Sequence, residues 1–393
     1  MGDISLDAVL GLTALGLGAD QAAIDLAPNQ LASEDVCAMA LRHGVVGLML
    51  SGLEAPGAPV VSNDLRLTLE DHFRRQTLAC LRQQAVLKKA ITSLEGFDIR
   101  ATLLKGPSLS VVAYGNSCQR PAGDLDFLVS ENDVDRAERA LAEIGFPRVM
   151  PLTTMRQGPL RLYQKLYKHY QLINSEGSLI ELHWRLLNEP VLPDTFGNGF
   201  TVNVALNRQE IRTLPNEENV LYLCLHGTLH RWERLIWLAD VIALFKRGLV
   251  DVDRLRSLAR EHGLCRVLGC TAVLARRWLV AVPELQPFEC HATEKLNKSC
   301  ENALCFDRAR TNPTFNQSWQ ELSHRFALHQ GWPYRFQTAT RFLISEGMLN
   351  RLAGSRGPMW VVGAKALALT PVRALSARTF AQSAPNTGPS DQR

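Results

Sequence analysis

Residues 101–129 read ATLLKGPSLSVVAYGNSCQRPAGDLDFLV. The apolar opening, residues 101–104, predicts a short buried strand. Lys105, Gly106, Pro107 and Ser108 follow. Glycine before proline marks a strand-to-helix junction, with the proline at the first helical position. The N–H groups of a first helical turn have no partners inside the helix, and the helix dipole adds positive charge there. The turn at Gly106 and Ser108 is therefore a seat for phosphate. Beyond the helix and a polar loop comes Gly123-Asp124-Leu125-Asp126-Phe127-Leu128-Val129. Residues two apart in a strand share a face. Asp124 and Asp126 then point one way, and Leu125, Phe127 and Val129 point into a core. Two carboxylates side by side repel unless a cation lies between them. Oxygen ligands favour a hard divalent ion, with Mg²⁺ (or Mn²⁺) the usual choice beside phosphate. Taken alone, an Asp-x-Asp pair also describes a solvated strand end.

Working outward, Ser130 is expected to cap a helix with Val134, Ala137, Leu141 and Ile144 on its buried side and Gly145 closing it. Farther on, two β-rich runs flank Ser175-Glu176-Gly177-Ser178, a hairpin signal. On the second run Glu181 and His183 share a face, while Ile180, Leu182 and Trp184 take the other. Glu181 is thus a third carboxylate on a strand, the ligand missing from a two-metal site. His169 precedes the hairpin.

The order of strand, phosphate turn, helix and Asp-x-Asp strand resembles the polymerase-β-like nucleotidyltransferase superfamily. LLKGPSLS and RPAGDLDFLV look like the bacterial nucleotidyltransferase family proteins, and Glu181-Leu182-His183-Trp184-Arg185-Leu186 continues the likeness. In the superfamily the turn reads Gly-Ser or Gly-Gly; here Pro107 intervenes. The resemblance implies transfer of a nucleoside monophosphate from an NTP to an acceptor, with release of pyrophosphate. Asp124 and Asp126 would hold the metal that grips the triphosphate, and with Glu181 a second one. Gly106 and Ser108 would bind the β- and γ-phosphates. Lys105 and Arg120 would offset charge on the leaving pyrophosphate. His183 and His169 are expected just outside the ligand set, with His183 orienting Glu181 or the acceptor.

The implied architecture is α+β: a polymerase-β-like core with a mixed sheet over residues 98–200. Helices are expected over residues 1–97, a helical domain over 201–382 and a disordered tail over 383–393. In the first segment Ser33-Glu34-Asp35 starts one helix, expected to run to Leu50. Ser62-Asn63-Asp64 starts a longer one striped with Leu65, Leu69 and Phe73. In residues 216–247, His226 and His230 lie four apart on one helical face, with Asp240 expected near the same side. A metal there lacks the glutamate of a zincin motif. Satisfied interior histidines, or a surface facing the substrate cleft, are the competing readings. Trp232, Leu235 and Trp237 read as core.

The chain has 393 residues, 46% hydrophobic and 21% charged, as in a globular protein. A net charge of +4 is too mild to argue for extended nucleic-acid binding. Nine cysteines without a Cys-x-x-Cys pair, and an N-terminus acidic where a signal peptide is basic, point to a reducing cytoplasm. No run reaches the roughly 20 uncharged apolar residues of a membrane span. The acceptor is open: a small molecule, peptide, protein or tRNA end. Two other readings stand beside nucleotidyl transfer. One is a transferase using another phosphorylated donor such as a sugar nucleotide; the other is a nucleotide-binding pseudoenzyme.

Overall fold

The computed structural model describes residues 4–20, 33–188, 191–192, 201–289, 294–304, 315–329 and 331–366. The expected tail at 383–393 lies outside them. Four helices come first: α1 (Ile4–Gly16), α2 (Ser33–His43), α3 (Val46–Leu53) and α4 (Asn63–Gly96). The middle of the chain alternates: β1 (Thr102–Leu103), α5 (Pro107–Tyr114), β2 (Asp124–Leu128), α6 (Val134–Glu143), β3 (Arg148–Met150), α7 (Gln157–Leu166), β4 (His169–Ile173), β5 (Leu179–His183), β6 (Val202–Leu206) and β7 (Gln209–Thr213). Eight helices close it: α8 (Asn216–Leu229), α9 (Leu235–Lys246), α10 (Val252–Glu261), α11 (Cys265–Trp278), α12 (Glu294–Leu304), α13 (Phe315–Leu328), α14 (Trp332–Leu343) and α15 (Glu346–Arg351).

Local chemistry accounts for most boundaries. The Ser62 hydroxyl accepts from the Leu65 N–H at 3.1 Å and starts α4, whose 34 residues bury Leu65, Leu69, Leu87, Ala90 and Leu94. The helix expected from Ser33 to Leu50 is two helices, because Gly44 turns left-handed (φ +69°) and ends α2. Ser130 makes no side-chain cap: residues 131–133 form a 3₁₀ turn, and α6 begins at Val134. Its Val134, Ala137 and Leu141 are buried as expected, but Ile144 is only half-buried. The helical stretch 216–247 is interrupted after Leu229, where Arg231 and Trp232 take positive φ and the Trp232 ring is buried.

The seven strands form one mixed sheet in the order β3-β4-β5-β2-β1-β7-β6. At its centre β2 and β5 run parallel, with Asp126 opposite Glu181 and Leu128 opposite His183. Parallel neighbours cannot be joined by a tight turn, and here α6, β3, α7 and β4 make the crossover. β1 is antiparallel to β2 and parallel to β7. The strands at 202–206 and 209–213 therefore belong to the sheet, so the expected boundary at residue 200 falls inside it. The order of elements, mixed sheet and many helices make the fold α+β.

Two hydrophobic clusters cover the two faces. Leu125, Phe127, Val129, Ile180 and Leu182 pack on one side with residues of α4, α6 and α7. Ile344, Met348, Leu349 and Val362 return from the far end of the chain to join that same cluster. Leu104, Leu109, Leu128 and Leu214 belong to the other cluster, with α1, α3, α8, α9 and α11. The N-terminal helices and the helices after β7 thus share one core rather than forming separate bodies. No described helix is long and apolar enough to cross a membrane.

Two histidines in this packing make stability pH-dependent. His43 is fully buried and its Nδ1 accepts from the Leu235 N–H at 3.4 Å. Nε2 of the buried His324 donates to the Thr228 carbonyl at 2.6 Å. Burial lowers both imidazoles to about 4. A depressed imidazole stabilises the fold above the unfolded value near 6.5, and that stability is lost as the pH falls toward 4. Between pH 7 and pH 4 the wild type should lose about 3 kcal/mol more than His43→Gln in urea denaturation. Equal losses would show that His43 contributes nothing to acid sensitivity.

Candidate active site

The sheet register assembles the site. On the face opposite Leu125 and Phe127, one cross-strand row holds Asp126 on β2, Glu181 on β5 and Gln171 on β4. The next row holds Leu128, His183 and His169. Asp124 stands one pleat before Asp126 on the same face. Asp124, Asp126 and Glu181 each offer an oxygen, and these atoms all lie within 4.8 Å of one another. His183 Nε2 bridges two of them, 3.1 Å from Asp126 Oδ1 and 3.2 Å from Glu181 Oε2. Gln171 Nε2 donates to Glu181 Oε1 at 3.3 Å, and His169 Nε2 is 3.5 Å from the same atom. His169, Glu181 and His183 form a second group close enough to hold one ion, sharing Glu181 with the first.

The electrostatics separate the three acids. Burial, then the neighbouring Asp126 charge, raises the Asp124 carboxyl above its ordinary range. Burial also opposes ionisation of Asp126, but the Lys105 ammonium and His183 outweigh it and hold Asp126 well below that range. Glu181 is lowered to about 2, since the His183 hydrogen bond and His169 overcome its burial. Burial, with His183 beside it, lowers His169 to about 3, so its imidazole is neutral. Asp126 and Glu181 are thus poised as anionic oxygen donors, and Asp124 is the least satisfied of the three. That donor set fits a hard divalent cation, and the imidazoles add nitrogen donors that Mn²⁺ tolerates better than Mg²⁺.

Of the residues expected to hold phosphate, the structure brings Lys105 and Gly106 to the carboxylates. Leu104 N–H donates to the Asp126 carbonyl at 3.0 Å, and Lys105 Nζ lies 3.3 Å from Asp126 Oδ2. Burial works against the ammonium, yet Asp126, Tyr222 and Asp124 raise Lys105 above its usual value, so it stays charged. Gly106 caps α5 at φ 72°, ψ −135°, a conformation that only glycine takes without strain. A Cβ there would have room, with Ala122 at 3.7 Å, so it is the backbone that requires glycine.

Ser108 and Arg120 are placed otherwise. Ser108 is fully buried and its hydroxyl donates to the Lys105 carbonyl at 3.2 Å, which fixes the turn instead of facing the cleft. Arg120 is also buried, its Nε donating to Asp240 Oδ2 at 2.8 Å while the Tyr114 hydroxyl donates to Asp240 Oδ1. Its guanidinium is committed to that pair, which ties the loop before β2 to α9. The Asp240 carboxylate is thus taken up by Arg120 and Tyr114, and among the described residues it forms no metal-ligating group with His226 and His230.

A family model described as an uncharacterised nucleotidyltransferase matches residues 29–280. The chain belongs to that family. The match takes in all seven strands and helices α2 to α11, and nucleotidyl transfer is the activity that membership carries in general. No curated protein and no solved structure matches the chain.

Within this nucleotidyltransferase, sequence reasoning passed over three residues at the site. Gln171 pairs with Glu181 across β4 and β5, a contact legible once the hairpin register is counted from its turn. Lys168 is close enough to bear on Asp126, His169 and His226. Tyr222 comes from α8, more than forty residues past Glu181, and its ring lies 5.8 Å from Lys105 Nζ. Only its position four residues before His226 signalled it. Glu189 and Asp194, the nearest other acids after β5, lie outside the described residues.

Proposed function

We propose that this protein is a metal-dependent nucleotidyltransferase of the polymerase-β-like superfamily, moving a nucleoside monophosphate from an NTP to an acceptor hydroxyl or phosphate. The observation that carries this reading is the convergence of the Asp124, Asp126 and Glu181 oxygens beside Lys105 and the N-terminus of α5. In the reaction a bond forms between the acceptor oxygen and the α-phosphorus. The bond from that phosphorus to the β-phosphate oxygen breaks, and pyrophosphate leaves. Asp124, Asp126 and Glu181 would hold Mg²⁺ or Mn²⁺. When bound, such an ion neutralises phosphoryl charge and lowers the pKa of an acceptor hydroxyl.

The protein groups have separable tasks. Free N–H groups at the start of α5 and the backbone at Gly106 receive the outer phosphates. Lys105, kept cationic, offsets charge on the departing pyrophosphate. Arg120 acts from behind, through Asp240, by fixing the loop that carries β2. His183 and Gln171 hold the Glu181 carboxylate in place. A carboxylate lowered to about 2 is a weak base, so Glu181 serves as a ligand and the acceptor proton passes to solvent.

The test is transfer itself. Incubation with each α-labelled NTP, Mg²⁺ or Mn²⁺ and a cell extract should place label on an acceptor or on the protein. That label should vanish with Asp126→Asn. Movement of a γ-phosphate or a sugar in its place would overturn the nucleotidyl assignment.

A further inference from the structure

Helix α8 carries a stripe that the chemistry above does not use. Tyr222, His226 and His230 are spaced four residues apart, so they stack along one side of α8 and its C-terminal cap. Tyr222 and His226 have ring centroids 6.1 Å apart, and His226 and His230 4.6 Å. Trp237, from α9, closes against both imidazoles at 5.0 and 5.6 Å. The stripe starts at the carboxylates. Tyr222 is fully buried and lies near Lys105, and its hydroxyl has no hydrogen-bond partner among the described residues. From there it rises toward solvent: His226 and Trp237 are half-buried and His230 is exposed.

Two features of the rings tell what they would bind. Burial, and then Lys105, hold His226 well below the usual imidazole range, so this ring is neutral and no phosphate clamp. Neither imidazole has a hydrogen-bond partner among the described residues, and no carboxylate or thiol joins them in a group able to hold a metal. Their ring nitrogens are therefore open to solvent or to a ligand. Neutral, planar, partly exposed rings offer stacking surface and free hydrogen-bonding nitrogens. From Tyr222 to His230 the helix advances about 12 Å, which suits a ligand with a charged end at the carboxylates and a flat end farther out.

We propose that His226, His230 and Trp237 form the nucleobase-binding face of the NTP site, with the Tyr222 hydroxyl donating to the sugar–phosphate end. This inference rests on the nucleotidyltransferase reading of the carboxylate centre. Burial, the first influence on the Tyr222 phenol, keeps it protonated and able to donate.

The test compares an NTP with tripolyphosphate, which has no base. Affinities are measured by calorimetry with Mn²⁺ for wild type, His230→Ala, His226→Ala and His226→Phe. His230 is exposed, so its replacement opens no buried cavity. Losing a ring that stacks on a base should weaken NTP binding about tenfold in each alanine variant. His226→Phe should stay near wild type, and tripolyphosphate should bind all four proteins alike. Unchanged NTP affinity in the alanine variants would overturn the base face while leaving nucleotidyl transfer standing. An equal loss for tripolyphosphate would assign the stripe to phosphate and overturn it likewise. If wild type binds no NTP with Mg²⁺ or Mn²⁺, the reading of the centre fails and the base face with it.

Discussion

Asp124→Asn and Asp126→Asn are each expected to abolish metal-dependent NTP binding, yet to shift the stability of the metal-free protein in opposite directions. Both carboxylates belong to a group of three acids within 4.8 Å, and removing an oxygen ligand from so small a set removes the ion's seat. Their protein partners differ. Asp124 is held against burial and the charge of Asp126, so a neutral amide relieves repulsion and Asp124→Asn should raise the unfolding free energy. Asp126 has Lys105 at 3.3 Å and His183 at 3.1 Å, with its own side chain buried. Asp126→Asn leaves the buried ammonium without its countercharge, a loss of about 3–5 kcal/mol. Calorimetry with Mg²⁺ and NTP, and urea denaturation in a chelator, read the two effects separately. Wild-type NTP affinity in either variant would remove that residue from the ligand set. Stability shifts of one sign would contradict the division between a strained and a satisfied acid.

Glu181→Gln is expected to act on kcat. The glutamate sits across the β2–β5 register from Asp126, held by His183, Gln171 and His169. NTP binding keeps Asp124 and Asp126, while the acceptor side of the site loses its only carboxylate among the described residues. Several kcal/mol of charge stabilisation would be forfeited, a fall in kcat on the order of 10²-fold or more with a smaller change in NTP affinity. His183→Ala should cost less, about 10–100-fold, because it works by orienting Glu181 and Asp126. Single-turnover kinetics with saturating NTP would show it. A kcat within about threefold of wild type would make Glu181 an ordinary strand residue.

Much of the site follows from strand alternation. Asp124 with Asp126, and Glu181 with His183, could be put on shared faces by counting in twos, and Gly106-Pro107 announced the α5 junction through backbone preference alone. These are short-range rules, so they needed no fold. Those rules stop short at two serines. A serine before a helix predicts a cap at Ser130, where a 3₁₀ turn forms instead. At Ser108 the same rules point the hydroxyl at phosphate, and the fold gives it the Lys105 carbonyl as a partner.

The sequence by itself determined which side chains alternate, where α4 and α5 begin and where the hairpin turns, because each depends on neighbours a few residues apart. The tertiary structure decided the rest. It set Asp126 opposite Glu181 in a parallel pair that no turn enforces. It completed the sheet with residues 202–213. It paired Arg120 with Asp240, 120 residues away. It also laid Tyr222 beside Lys105. Those contacts join segments far apart in the chain, and burial of both partners against one core selects them, so no local pattern of residues can specify them.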